Sequence, residues 1–236
     1  LKFAYFIIIN MISKIKILLK NPGFLFQYLN RMKRLEKILH SDQNTIKSYF
    51  DESEVCWSYV ENKMKNIENS VRIGHERLQL LYTCVRILKP KVMVETGVAG
   101  GSTSFTILSA MKKNGFGNLY SIDIDNSQYD NREFNYKIGW LVPDNLRKNW
   151  TLILGDSKKE LPLILNSLKS IDIFFHDSDH SYEHMIFEFE SVWNYLSKQK
   201  VILSDDINKN ISFDEIVKKN KMTSEKFFGF GICHKI

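Results

Sequence analysis

The chain has 236 residues, 44% hydrophobic and 25% charged, which excludes whole-chain disorder and fits one globular domain of the larger sort or a domain with an extra segment at one end. Its formal charge is +6, yet residues 1–40 carry eight Lys/Arg against the single acid Glu36, so residues 41–236 sum to about −1. A basic charge confined to one end is poor support for a nucleic-acid-binding domain, and none is expected.

In chain order, the apolar stretch Phe3 to Ile12 is broken by Asn10 and falls short of the roughly 18 apolar residues a membrane-spanning helix needs. Lys14, Lys16 and Lys20 follow it, where a secretory signal would place small residues. Ile15, Leu18 and Leu19 start a helical stripe, Asn21-Pro22-Gly23 breaks it, and Phe26, Leu29, Met32, Leu35, Ile38 and Leu39 resume it. Residues 1–70 therefore read as a basic helical extension. It is either a cap on the main domain or, through residues 1–40, a surface for peripheral membrane or partner contact. A further helix is predicted from His75 to Leu88, ended by Pro90.

From Lys91 short apolar runs alternate with helical spans, the pattern of an α/β fold with a doubly wound, mostly parallel sheet over residues 71–236. The runs are Val92 to Val94, Leu119 to Ile122, Thr151 to Leu154, Ile171 to Phe175 and Val201 to Leu203. Helices are expected at Ser102 to Lys113, Lys158 to Leu168 and Tyr182 to Leu196, the last with Met185, Ile186, Phe189, Val192, Trp193 and Leu196 as a core stripe. Cys56, Cys84 and Cys233 are scattered and form no C-x-x-C pair, which points to a reducing, cytoplasmic setting without disulfides.

In such sheets ligands bind outside the carboxyl ends of the strands, so the residues after each run hold the functional information. After the first stands Glu95-x-Gly97-x-x-x-Gly101-Ser102-Thr103, a glycine-rich turn into a helix whose N-H groups favour electronegative ligands. A plain tight connection is its alternative. Ala99 breaks the G-x-G-x-x-G dinucleotide fingerprint and removes the main support for a nicotinamide oxidoreductase. Asp123, 26 positions after Gly97, is placed to accept ribose hydroxyls, with Asp125 beside it facing solvent or capping the loop. Asp156 and Ser157 would lie beside an adenine, and Asp156 would equally serve as a helix N-cap.

Asp177, Asp205 and Asp206 fall at the ends of two further strands, and three converging carboxylates call for a cation, simplest a divalent ion such as Mg²⁺. His176, His180 and His184 recur every four residues, but a strand end interrupts them, which disfavours a zinc site. His184 reads as a helix surface residue. His180 is the candidate general base, with a structural loop histidine as its alternative.

Taken together, Val94-Glu95-Thr96-Gly97 with Gly101-Ser102-Thr103, Ser121-Ile122-Asp123, Ile138-Gly139-Trp140-Leu141-Val142-Pro143, Leu154-Gly155-Asp156-Ser157, Phe175-His176-Asp177-Ser178-Asp179-His180-Ser181-Tyr182 and Ser204-Asp205-Asp206 resemble a class I S-adenosylmethionine-dependent methyltransferase. Within that class they are similar to macrolide sugar O-methyltransferases of the macrocin and mycinamicin type and to cephalosporin hydroxylase-like proteins. The resemblance implies a seven-stranded Rossmann-like sheet with an antiparallel last strand, for which Phe227 to Ile236 is the candidate, and a reduced last hairpin. It further implies S-adenosylmethionine held by Glu95, Gly97, Gly101, Ser102, Thr103, Asp123, Asp156 and Ser157, and Mg²⁺ on Asp177, Asp205 and Asp206. His180 would deprotonate the hydroxyl of a saccharide or other small-molecule acceptor. An inert S-adenosylmethionine-binding scaffold of the same fold is the alternative, and self-association is left open. Trp140 and the loop from Asn126 to Asn149 are candidates for the acceptor pocket or for packing.

Overall fold

The computed structural model describes residues 22–65, 73–124 and 136–235. The early apolar stretch, the basic residues before Asn21, Asp125, the loop through Asn135 and Ile236 lie outside the described residues.

Three helices lead into the sheet: α1 (Pro22–Leu39), α2 (Gln43–Met64) and α3 (His75–Leu88). Asp42 starts α2 because its carboxylate accepts from the N-H groups of Asn44 and Thr45, satisfying donors that the first turn leaves bare. The chain then alternates through β1 (Val92–Thr96), α4 (Ser102–Asn114), β2 (Asn118–Asp123), α5 (Asp144–Arg147), β3 (Trp150–Leu154), α6 (Ser157–Leu168), β4 (Ile171–His176), α7 (Tyr182–Trp193) and β5 (Leu196–Ser204). It closes with α8 (Ser212–Asn220), β6 (Thr223–Phe227) and β7 (Phe230–His234).

The seven strands lie in the order β3-β2-β1-β4-β5-β7-β6. Strands β1 to β5 run parallel, and β7 pairs antiparallel with both β5 and β6. The expected α/β class, seven strands and antiparallel last strand are all present. The last hairpin is complete rather than reduced: Phe228 and Gly229, both at positive φ, turn β6 into β7 within the stretch expected to be one strand. Leu196 opens β5 and pairs with Ile171 instead of closing the helical stripe, because Asn194 caps α7 one turn earlier.

Both faces of the sheet are covered, and side chains alternate between them with the period of two that a strand imposes. Met93, Ile173, Phe175, Val201 and Leu203 face the cluster containing α2, α3 and α4. Val94, Phe174 and Ile202 face the cluster of α6, α7 and α8. The described part of the N-terminal extension belongs to the first cluster, with Leu35, Ile38, Ile46 and Val60 at most 1% exposed. Polar contacts hold it there as well. Arg34 Nε donates to Glu225 Oε2 at 2.7 Å, and His234 Nε2 donates to the Ile38 carbonyl at 2.9 Å. Its described part, residues 22–65, thus packs as a cap whose apolar face meets the sheet's β6/β7 end. All three cysteines are free and buried, and no helix among the described residues is long and apolar enough to cross a membrane.

A cap role has a measurable cost. Leu35→Ala should lower unfolding free energy by about 2–5 kcal/mol, as for other buried leucines, whereas a loosely attached surface helix would lose under about 0.5 kcal/mol. Denaturant unfolding of the full chain separates the two.

Candidate active site

The ends of β1, β2, β4 and β5 and the start of α6 enclose a cavity of about 560 Å³. Its wall includes Gly97, Val98, Ala99, Ser102, Asp123, Asp156, Ser157, Asp177, His180, Asp205 and Asp206, together with Arg77 and Lys209. Residues far apart in sequence meet here because parallel strands deliver all their carboxyl ends to one edge.

The first turn is closed by Asp123. Its Oδ2 accepts from the N-H groups of Val98 and Ala99 at 2.8 and 2.7 Å, and its Oδ1 from Ile124 N-H at 2.7 Å. Gly97 sits at φ +84°, and a Cβ there would come within 2.0 Å of the Asp177 carbonyl. Only glycine lets the ends of β1 and β4 approach this closely. Gly101, at φ +91°, has a different neighbour: a Cβ would fall 2.9 Å from Gly139 Cα. The Ile138–Val142 stretch is zipped to the turn by Gly139 N-H to the Ala99 carbonyl and Leu141 N-H to the Gly100 carbonyl.

Three residues expected at the cofactor lie behind it. Gly101 and Thr103 are not in the cavity wall, and neither is Glu95, which is fully buried beneath the turn. Ser104 and Ser121 hydroxyls donate to Glu95 Oε2 at 2.5 and 2.6 Å, and Trp150 Nε1 donates to Ser121 Oγ. This chain ties β1, β2, β3 and α4 together. Burial pushes the Glu95 carboxyl up to about 7 despite those hydroxyls. Trp140 packs against the apolar core and is absent from the cavity wall formed by the described residues. Asp156 does cap α6, accepting from Lys158 N-H at 2.9 Å.

The acidic set differs from expectation in its cation. Arg77 of α3 sends Nη1 to both oxygens of Asp205 and to Asp206 Oδ1, each at 2.8 Å, while its Nε donates to the Phe228 carbonyl. Asp177 accepts no hydrogen bond from the described residues. Burial first, then the charges of Asp205, Glu95 and Asp206, raises its pKa well above the carboxylate range. Among the described residues no group of three or more His, Cys, Asp or Glu side chains is arranged to hold a metal ion. With a guanidinium already on the acidic pair, the donors do not fit Mg²⁺ in this arrangement; Arg77 supplies one positive charge to Asp205 and Asp206 and does not bond Asp177. The sequence held one signal for it: a cation in the first turn of a helix opposes the helix dipole and needs an anionic partner.

The second residue missed from sequence is Glu188. It sits in the core stripe of α7, 0% exposed, and collects five donors. Thr96 Oγ1 and His176 Nδ1 reach its Oε2 at 2.7 and 2.6 Å. Ser157 Oγ, Ser178 Oγ and His184 Nε2 reach its Oε1 at 2.7, 3.0 and 2.9 Å. Burial opposes its charge, but the bonds from His176 and His184 outweigh burial and hold the carboxyl below its ordinary range. His184 is therefore buried rather than a surface residue, and its pKa is raised because the Glu188 bonds and charge outweigh the desolvation that opposes them. Ser157 is turned inward by the same carboxylate. His180 stands at the end of the chain: its Nδ1 lies 3.2 Å from His176 Nε2, and its Nε2 faces Asp206 Oδ2 at 3.7 Å. Burial, the largest cause, lowers its pKa from the ordinary imidazole value, so it is neutral at pH 7.

Residues 94–207 match the family described as Methyltransferase domain. That segment, just under half of the chain, is what resembles methyltransferase domains. Its fold is shared by a methyltransferase from Geobacter sulfurreducens, 17% identical with a TM-score of 0.59, covering 77% of this chain and 90% of that one. The O-methyltransferase from Bacillus cereus, solved in complex with SAH, is 14% identical with a TM-score of 0.53, covering 86% and 96%. TomG from Streptomyces achromogenes, an O-methyltransferase involved in tomaymycin synthesis and solved with SAM, is 13% identical with a TM-score of 0.52, covering 77% and 89%. No curated protein matches the sequence.

The first turn depends on Gly97. Gly97→Ala should destabilise the chain by at least about 1–3 kcal/mol, the usual cost of a strained positive-φ residue, with the clash against β4 added. Unfolding at wild-type denaturant concentration would mean that the two strand ends are not in contact.

Proposed function

We propose that this methyltransferase domain transfers the methyl group of S-adenosylmethionine to a hydroxyl oxygen of a small polar acceptor, a saccharide being the class that the resemblance to macrolide sugar O-methyltransferases favours. The observation that carries the reading is that one cavity is walled on one side by the Gly97–Ala99 turn with Asp123 and on the other by His180 with Asp177 and the Arg77 ion pair. A cofactor and an acceptor can therefore share it.

In this reading the ribose hydroxyls donate to the Asp123 carboxylate, whose Oδ1 accepts one amide and whose Oδ2 accepts two. The adenine lies toward Asp156 and Ile122, and the methionine end follows Gly97 toward Asp177. The sulfonium methyl is already activated, so the protein's contribution is in-line alignment of the acceptor oxygen and exclusion of water. Arg77, Asp205, Asp206 and Lys209 line the acceptor side with donors and acceptors suited to hydroxyl groups. His180 Nε2, neutral and directed at that side, takes the proton as the oxygen attacks, a contribution on the order of 10²–10⁴ in rate.

Calorimetry with S-adenosylmethionine should find one site, weakened about tenfold or more in Asp123→Ala through loss of a charged hydrogen bond. With tritiated S-adenosylmethionine and simple methyl glycosides as acceptors, His180→Ala should cut kcat by about 10²–10⁴-fold and leave cofactor affinity unchanged. Binding without transfer to any hydroxyl acceptor would favour the inert-scaffold reading. Dialysis against EDTA should leave turnover unchanged, because the acidic pair already has its cation in Arg77; loss of activity restored by Mg²⁺ would contradict that assignment.

A further inference from the structure

We infer that Glu188 and His176 are positioning residues for proton removal: through two successive hydrogen bonds they fix the tautomer of His180 so that its Nε2 lone pair faces the cavity. The inference deepens the function proposed above and rests on it.

Donors and acceptors along the chain fix where the ring hydrogens sit. An ionised carboxylate only accepts, so the 2.6 Å contact between Glu188 Oε2 and His176 Nδ1 places a hydrogen on Nδ1. His184 also donates to Glu188, at Oε1, and its raised affinity for a proton makes it the natural counter-charge of that carboxylate. A second cation at His176, which is 0% exposed, would leave this buried cluster with one positive charge in excess. His176 therefore carries one ring hydrogen, on Nδ1, and its Nε2 is an acceptor. The 3.2 Å contact to His180 Nδ1 then requires the hydrogen on His180 Nδ1, which leaves Nε2 bare.

The same geometry supports the step itself. The acceptor O-H bond breaks and its proton goes to the lone pair of His180 Nε2. The oxygen's electrons form the new C-O bond, and the C-S bond of the sulfonium breaks with its electrons returning to sulfur. The imidazolium so formed keeps its Nδ1-H on His176 Nε2 and has the Asp206 carboxylate 3.7 Å from Nε2. Lys209 and Asp179, of opposite sign, also bear on it. Rotation of the ring is prevented from behind by the relay rather than by the cavity, so a base is ready before the acceptor arrives.

The arrangement is read out by long-range proton–nitrogen NMR of the full chain labelled with ¹⁵N-histidine, with rings assigned through His176→Gln and His180→Ala. His180 is expected to carry its hydrogen on Nδ1 and none on Nε2, and His176 likewise. In Glu188→Gln the amide can turn either its oxygen or its NH₂ to His176, so the fixed tautomer of His180 should give way to a mixture. Calorimetry with S-adenosylmethionine on the same samples should show cofactor affinity retained, which a merely unfolded site would not. A hydrogen on His180 Nε2 in the wild-type chain, or an unchanged tautomer in a folded Glu188→Gln, would overturn the relay. If Glu188→Gln does not fold, the wild-type tautomers decide alone. Failure of the wild-type chain to bind S-adenosylmethionine would instead overturn the function, and the ring assignments distinguish the two failures.

Discussion

Glu188 is a carboxylate with no exposure to solvent, and burying such a charge unpaired costs several kcal/mol. It is tolerated because five donors from the end of β1, the start of α6, the end of β4, the loop after it and its own helix converge on its two oxygens. The requirement works in both directions. The charge needs every one of those donors, and each donor is thereby held in a single orientation. Ser157, Ser178 and His184 touch both this network and the cavity, so the cavity wall takes its shape from a group that never reaches it. Removing the carboxylate would leave His176 and His184 without their acceptor, in a region too buried for water to replace it.

Around this hub the charges are arranged in layers. Beneath the first turn, Glu95 is insulated and held by serine hydroxyls, a structural acid whose raised pKa comes from burial. In the turn, Asp123 closes the loop on itself through amides while still facing the cavity. Across from it, Arg77 pairs with both Asp205 and Asp206, and Asp177 is left with a pKa raised by burial and by its acidic neighbours. Arg77 arrives from α3, packed by the helical cap. The N-terminal helices thus contribute to the site as well as to the core: α1 and α2 support α3, and α3 delivers the guanidinium. The basic charge that dominates residues 1–40 is a separate matter from this single arginine.

The fold was largely legible because parallel strands covered on both faces leave nearly continuous apolar runs, and the acids at their ends have no reason to be there except a ligand or a cap. That rule pointed to Gly97, Asp123, Asp177 and His180, which all line the cavity. What could not be read was the direction of side chains away from those ends. Glu95 and Thr103 carry the motif but point beneath the turn, and Gly101 is glycine for the sake of Gly139. Arg77 and Glu188 were hidden inside helices whose apolar stripes drew attention to their neighbours. Glu188 lies one turn from His184 and between Met185 and Val192, on the buried face, where an acid among apolar residues signals a buried polar network. The hairpin at the end was misjudged for a local reason: Phe228 adopts positive φ beside Gly229, a turn that a non-glycine residue does not advertise.

The central claim is that cofactor and acceptor meet in the one cavity between the first turn and His180. A crystal structure of the full chain with S-adenosylhomocysteine tests it most directly. The account predicts the ribose hydroxyls on Asp123, the amino-acid end along Gly97, and the sulfur facing the side of the cavity where His180 Nε2 stands. A ligand seated elsewhere, or one whose sulfur points away from His180, would contradict it.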